Sequence, residues 1–195
     1  AFVRMARQDC GFGYRTSRFK TADRGRFFIT AITLHLMKAD PVPPFYNALQ
    51  RYLDEHQIKT YSPEVLRDAV IAIRTAKLPD PRTVANNGSF FANPVISDLD
   101  FVQIEADYPG IPHWPAGDSK IKLAAAWLIE QAGFKEIHDQ ETGMATWPQQ
   151  SLVLINEKAE STADLLKFKQ KIVDAVQAKF GIVLDLGSVL ASLRG

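Results

Sequence analysis

Proline divides this chain at three places, and no long helix or central strand can cross any of them. Asp40-Pro41-Val42-Pro43-Pro44, Leu78-Pro79-Asp80-Pro81 and Tyr108-Pro109-Gly110-Ile111-Pro112-His113-Trp114-Pro115 each remove backbone donors and fix φ. Ahead of the first break, Phe27 to Leu36 is rich in β-branched and aromatic residues and reads as a strand buried on both faces, which requires covering layers. Between the first and second breaks, Phe45, Leu49, Tyr52 and Leu53 share a helical face over 45–55. A second helix is announced by Ser62 as N-cap, Pro63 at the first helical position and Glu64 against the dipole, with Val65, Leu66, Ala69, Val70 and Ile73 as its stripe. It should stop before Pro79.

Ala85-Asn86-Asn87-Gly88 predicts a polar turn ahead of Ser89-Phe90-Phe91. Beyond the third break, Leu123, Trp127, Leu128 and Ala132 predict a helix over 119–132 that Gly133 ends, and Leu152 to Asn156 a buried strand. Ser161 or Thr162 caps a last helix with the stripe Leu165, Phe168, Ile172, Val176 and Phe180, which Gly181 closes, and Ile182 to Leu184 reads as a final strand. These elements add up to an α+β architecture, expected in two lobes.

With 46% hydrophobic and 23% charged residues, the chain can bury a core and is not a disordered tail. A formal net charge of +1 gives no bulk attraction to nucleic acid or anionic membrane, so neither is an expected partner. Cys10 is the only cysteine, which excludes an intrachain disulfide and a thiolate zinc cluster and suits a reducing, cytoplasmic setting. The apolar runs are too short to span a membrane. His35, His56, His113 and His138 are dispersed without metal-ligand spacing, so no metal is expected.

Few residues suggest chemistry by themselves. Residues 1–26 hold seven Arg or Lys against Asp9 and Asp23, and Arg15, Arg18 and Lys20 are either an anion clamp or a solvated basic face. Gly11-Phe12-Gly13-Tyr14 has the core of an aromatic RNA-stacking signature, but Cys10 and Arg15-Thr16 break both of its ends. Ser89 is either a turn-capping serine or a proton donor at the mouth of an apolar pocket. Lys77 either complements a helix dipole or binds an anion, and Lys122 is equally ambiguous.

Five runs in register resemble the UDP-N-acetylenolpyruvoylglucosamine reductase family. They are Asp9 to Lys20 with its Cys10, Phe12, Tyr14-Arg15 and Phe19-Lys20; Ala72-Ile73-Arg74 through Lys77 to Pro81; Asn86 to Val95; Lys122 to Lys135; and Gln149 to Asn156. The resemblance implies a FAD-binding α+β domain whose second lobe ends over 1–78, a smaller α+β substrate-binding domain over 79–180, and a return strand with tail over 181–195. It implies reduction of UDP-N-acetylglucosamine enolpyruvate to UDP-N-acetylmuramate for peptidoglycan, with hydride from FAD recharged by NADPH. Arg15 would stabilise the developing negative charge and Ser89 would donate the proton. Tyr46, Lys77, Asn93, Trp114, Lys122 and Gln150 (Gln149 if the match slides by one) would hold the UDP-sugar. A monomer is implied.

Departures from the family pattern mark the limits of that expectation. No glycine-rich pyrophosphate loop is present, so the FAD-binding residues are unassigned and the chain is not expected to hold FAD alone. Gly187 occupies the position of a carboxy-terminal glutamate that assists protonation, while Asp185 matches a different glutamate. Ala92 stands for a common lysine, Thr16 for an aspartate and Trp114 for a tyrosine. The alternative expectation is a noncatalytic UDP-sugar-binding remnant without flavin.

Overall fold

The computed structural model of the chain describes residues 1–13 and 16–186. They divide into two units, Ala1–Asp40 and Pro41–Gly195. The first unit is built on tight turns: 3-10 helices span Arg7–Cys10 and Arg18–Lys20. Gly13 and Thr16 exchange backbone hydrogen bonds of 3.1 and 3.2 Å. Asp23, 3% exposed, is held by ion pairs to Arg18 and Arg26, which repay the cost of burying its charge. The strand expected over Phe27 to Leu36 does not form; Phe28 and Leu36 are 99% and 83% exposed. Among the described residues of this unit, only the Gly13–Thr16 bridge resembles a ladder, and β-propensity without a neighbouring strand leaves backbone groups unpaired.

The second unit opens with α1 (Asn47–Glu55) and α2 (Pro63–Lys77). As expected, Ser62 caps α2, its Oγ accepting from the Val65 amide at 3.3 Å, and the helix stops before Pro79. Leu49, Leu53 and Ala69 form the buried seam of this pair, flanked by an edge-on contact of the Phe45 and Tyr61 rings.

The remaining elements are β1 (Asn86–Ser89), β2 (Val95–Ser97), α3 (Asp98–Asp107), β3 (His113–Pro115), β4 (Lys120–Leu123), α4 (Ala125–Ile129), β5 (His138–Asp139), β6 (Met144–Trp147), β7 (Gln150–Asn156) and α5 (Thr162–Phe180). They make two antiparallel sheets, one ordered β1-β7-β6-β5 and the other β2-β4-β3. Helix α5 carries Phe168, Ile172 and Val176 into a core shared with Phe90, Leu123, Leu128, Ile129 and Leu154. Each such side chain contributes about 1.5–3 kcal/mol by leaving water. Its start is a reciprocal capping box between Ser161 and Asp164, and Gly181 at φ 69° ends it in the left-handed conformation that favours glycine.

Three expectations are corrected here. The helix over 119–132 begins at Ala125, because 120–123 is the central strand of the smaller sheet and gains partners on both edges. Beyond Ile129 the helix widens into a π-turn to Phe134. The turn over 85–88 is partly strand β1, and 182–184 does not form a strand, although Ile182 and Leu184 are buried and Leu186 makes a single bridge to Phe91.

Candidate functional site

Strand β1 carries an irregularity that decides where Ser89 points. Asn86 pairs with Ile155 and Ser89 with Val153, so three steps along β1 match two along β7, which is a β-bulge of one extra residue. Opposed side chains on paired strands share a face, so Ser89 and Asn86 lie on the face of Val153 and Ile155. Phe90 turns to the opposite face, 1% exposed in the main core, its amide donating to the Leu152 carbonyl at 2.8 Å. Ser89 is exposed, and among the described residues its hydroxyl makes no hydrogen bond.

The face of Val153 and Ile155 is closed by Ala145, Leu78, Val84 and Trp147. The Trp147 indole N–H donates to the backbone carbonyl of Lys77 at 3.1 Å, fixing the end of α2 against the sheet. Trp147 is also the register partner of Gln150. One tryptophan thus ties the end of α2 to the β6–β7 pair on the side of the sheet that Ser89 faces. Sequence reasoning passed over Trp147; its place immediately before Pro148 and β7 was the available signal.

A second cluster lies on the smaller sheet. Val95, Lys122 and Trp114 form one row across β2, β4 and β3, with the Lys122 ammonium 5.6 Å from the Trp114 ring centroid. Trp114 is 46% exposed, leaving ring surface for a ligand. The Asn93 side-chain oxygen accepts from the Ala125 amide at 3.0 Å, tying the segment after β1 to the start of α4. Ser89 and Asn93 are four residues apart, which limits their separation to about 14 Å. Tyr46 stands at the N-terminus of α1, its carbonyl accepting from Leu49 and Gln50; among the described residues no hydrogen bond or ring contact links its side chain to the other candidates. Arg15 and Gly187 lie outside the described residues.

A cavity of about 640 Å³ opens beside Asn93, lined also by Gln103, Phe180 and Ile182, and its charged lining is Asp100 and Asp185. A smaller one, about 280 Å³, is bordered by five carboxylates, among them Asp139 and Glu157, against one cation, Lys158. Either would repel a pyrophosphate. The cations suited to an anionic ligand, Lys77 and Lys122, are not in the lining of either cavity. No described helix is long and apolar enough to cross a membrane.

The family described as UDP-N-acetylenolpyruvoylglucosamine reductase, C-terminal domain, matches residues 80–189, a range that includes Ser89, Asn93, Trp114, Lys122 and Gln150. The chain is similar to the UDP-N-acetylenolpyruvoylglucosamine reductase of Cupriavidus pinatubonensis (strain JMP 134 / LMG 1197), 39% identical over 184 residues, 94% of this chain and 54% of that protein. The enzyme of the same name from Pasteurella multocida (strain Pm70) is 39% identical over 182 residues, 93% of this chain and 52% of its own length. That from Burkholderia multivorans (strain ATCC 17616 / 249) is 40% identical over 185 residues, 90% of this chain and 50% of its own. The chain therefore spans about half the length of the curated relatives it matches.

Proposed function

Because the chain belongs to the family of UDP-N-acetylenolpyruvoylglucosamine reductase C-terminal domains, we propose that it binds the UDP-sugar enolpyruvyl ether and protonates it during reduction to UDP-N-acetylmuramate, a step toward peptidoglycan. The observation that carries this reading is Ser89, an exposed hydroxyl on the sheet face that also bears the end of α2 and Lys77. In the family resemblance FAD, recharged by NADPH, supplies the hydride. The part assigned to the residues described here is to hold and protonate the substrate.

Hydride arriving at the methylene carbon leaves an anion that spreads into the adjacent carboxylate. Arg15, by resemblance, stabilises that charge, since a fixed guanidinium costs no reorganisation when charge develops. The Ser89 O–H bond breaks as a C–H bond forms at the other alkene carbon, and the serine recovers its proton from water. A serine hydroxyl is a poor acid, and it can serve here because the carbanion it meets is strongly basic. Lys77 and Lys122 suit the diphosphate, Trp114 offers a stacking surface, and Asn93 and Gln150 supply amide donors and acceptors. Tyr46 is assigned to the same ligand by resemblance alone.

The test is NADPH oxidation by the full-length protein with UDP-N-acetylglucosamine enolpyruvate. Substrate-dependent oxidation that disappears in Ser89→Ala supports the reading; turnover undiminished in that variant removes Ser89 from it. Gly187 at the glutamate position favours a second reading, UDP-sugar binding without reduction. Saturable binding of the UDP-sugar with no NADPH oxidation, restored by Gly187→Glu, would mark a damaged enzyme; no restoration would favour the binding protein.

A further inference from the structure

We propose that Asn86 is a positioning residue, which acts through the bulge at Gly88 to aim the Ser89 hydroxyl. The inference rests on the reading of Ser89 as proton donor and explains how a strand residue comes to face that way.

In an unbulged strand, residues three apart lie on opposite faces, so Asn86 and Ser89 could not share one. A regular ladder starting from Asn86 and Ile155 would place Ser89 opposite Leu152 and turn its hydroxyl toward the main core. The observed register places it opposite Val153, on the face that carries Trp147 and the end of α2. A regular ladder would also turn Phe90 away from the main core, which the extra residue lets it enter.

Two features hold the bulge. Gly88 has φ 69°, in the left-handed region that favours glycine, and a Cβ built there would meet no heavy atom within 4 Å. Asn86 clamps the turn with both ends of its amide: Oδ1 accepts from the Gly88 amide at 3.0 Å, and Nδ2 donates to the Val84 carbonyl at 2.9 Å. Asn86 is half-buried, and its side chain satisfies two backbone groups that the irregular ladder would leave unpaired. Because the space at Gly88 is open, substitutions there act through backbone conformation, with no steric clash to confuse the outcome.

The experiment compares Asn86→Ala, Gly88→Asn, Gly88→Val and Ser89→Ala in the full-length protein. A misaimed general acid costs rate more than binding. Asn86→Ala and Gly88→Val are expected to lower kcat by about 10–100-fold, with KM within about twofold of wild type and a larger solvent deuterium isotope effect on kcat. Gly88→Asn should lose several-fold less than Gly88→Val, since Asn tolerates positive φ and a β-branched residue does not. In the 195-residue chain, amide exchange followed by NMR should show the Gly88 N–H losing protection in Asn86→Ala. Wild-type kcat in Asn86→Ala alongside an inactive Ser89→Ala would overturn the positioning role, as would equal losses for the two Gly88 variants. Full turnover in Ser89→Ala would instead overturn the proton-donor reading on which the role depends.

Discussion

Trp114 and Lys122 face each other across β3 and β4, with the ammonium 5.6 Å from the ring centroid. The ring holds the ammonium beside it, and one exposed aromatic surface is left for a nucleotide or sugar. An interaction of this kind is worth about 0.5–2 kcal/mol depending on how dry it is. Trp114→Ala should therefore weaken UDP-sugar binding by roughly 2- to 30-fold, and Trp114→Tyr by less. Isothermal titration calorimetry measures both, and equal affinities in all three proteins would remove Trp114 from the site.

Loss of the Ser89 hydroxyl should act on the chemical step. General acid catalysis contributes about 10²–10⁴ in rate, so Ser89→Ala should lower kcat by that order in the full-length protein while KM changes less than about threefold. A matching rise in KM with kcat intact would mark Ser89 as a binding residue.

The role proposed for Arg15 is to stabilise the developing anion. Removing one such electrostatic donor costs about 3 kcal/mol or more, so Arg15→Ala should reduce kcat by at least about a hundredfold. Arg15→Lys should restore little, because an ammonium lacks the planar fork that meets a carboxylate with two hydrogen bonds. Steady-state kinetics on the two variants decides the matter.

Acid should weaken the attachment of the β5–β6 hairpin to α5 before it weakens the core. The Lys167 ammonium, and then that of Lys171, hold the Glu141 carboxyl down at about 2. Burial works against ionisation of Asp139, but its hydrogen bonds from Lys171 and from the Glu141 and Thr142 amides outweigh that and lower its pKa too. A carboxyl depressed by folding contributes stability above its unfolded pKa and loses it as pH falls through the folded value. For Glu141 that window runs from 4.5 down to about 2. The denaturation midpoint should fall across it, less steeply in Glu141→Gln, and the difference should shrink in high salt because Glu141 and Lys167 are both half exposed.

The core should respond more strongly than any surface pair. Phe168 is fully buried between Phe134 and the sheet, so Phe168→Ala is expected to cost about 3–5 kcal/mol, read as a lower thermal or urea midpoint. A loss below about 1 kcal/mol would mean that neighbouring side chains close the cavity.

What could be read from the sequence was set by how local its physical cause was. Ser62, Pro63 and Ser161 announced their helices because a cap needs only the next three residues, and Gly181 ended α5 for the same reason. Phe27 to Leu36 misled because strand formation depends on a neighbour that no run of residues can specify. Lys120 to Leu123 was taken into a helix because Leu123 fits a 3.6-residue spacing as well as it fits a strand flanked on both sides. In the candidate site, the residue types around Ser89 and Lys122 were visible, but the bulge that turns Ser89 was not. A bulge is a mismatch of count between β1 and β7, strands some sixty residues apart, and neither strand contains it alone.

The indole hydrogen bond from Trp147 to the Lys77 carbonyl makes the protein its own optical reporter. Indole emission shifts with the polarity around the ring and with the partner of its N–H, and this N–H is committed to the last residue of α2. A ligand that draws Lys77 away from its resting place must stretch or release that bond, and the colour of Trp147 fluorescence would change with it. Trp114 and Trp127 sit elsewhere, one at the edge of the smaller sheet and one against Phe180. With those two replaced by phenylalanine, the remaining emission would follow one helix end in solution without any attached dye.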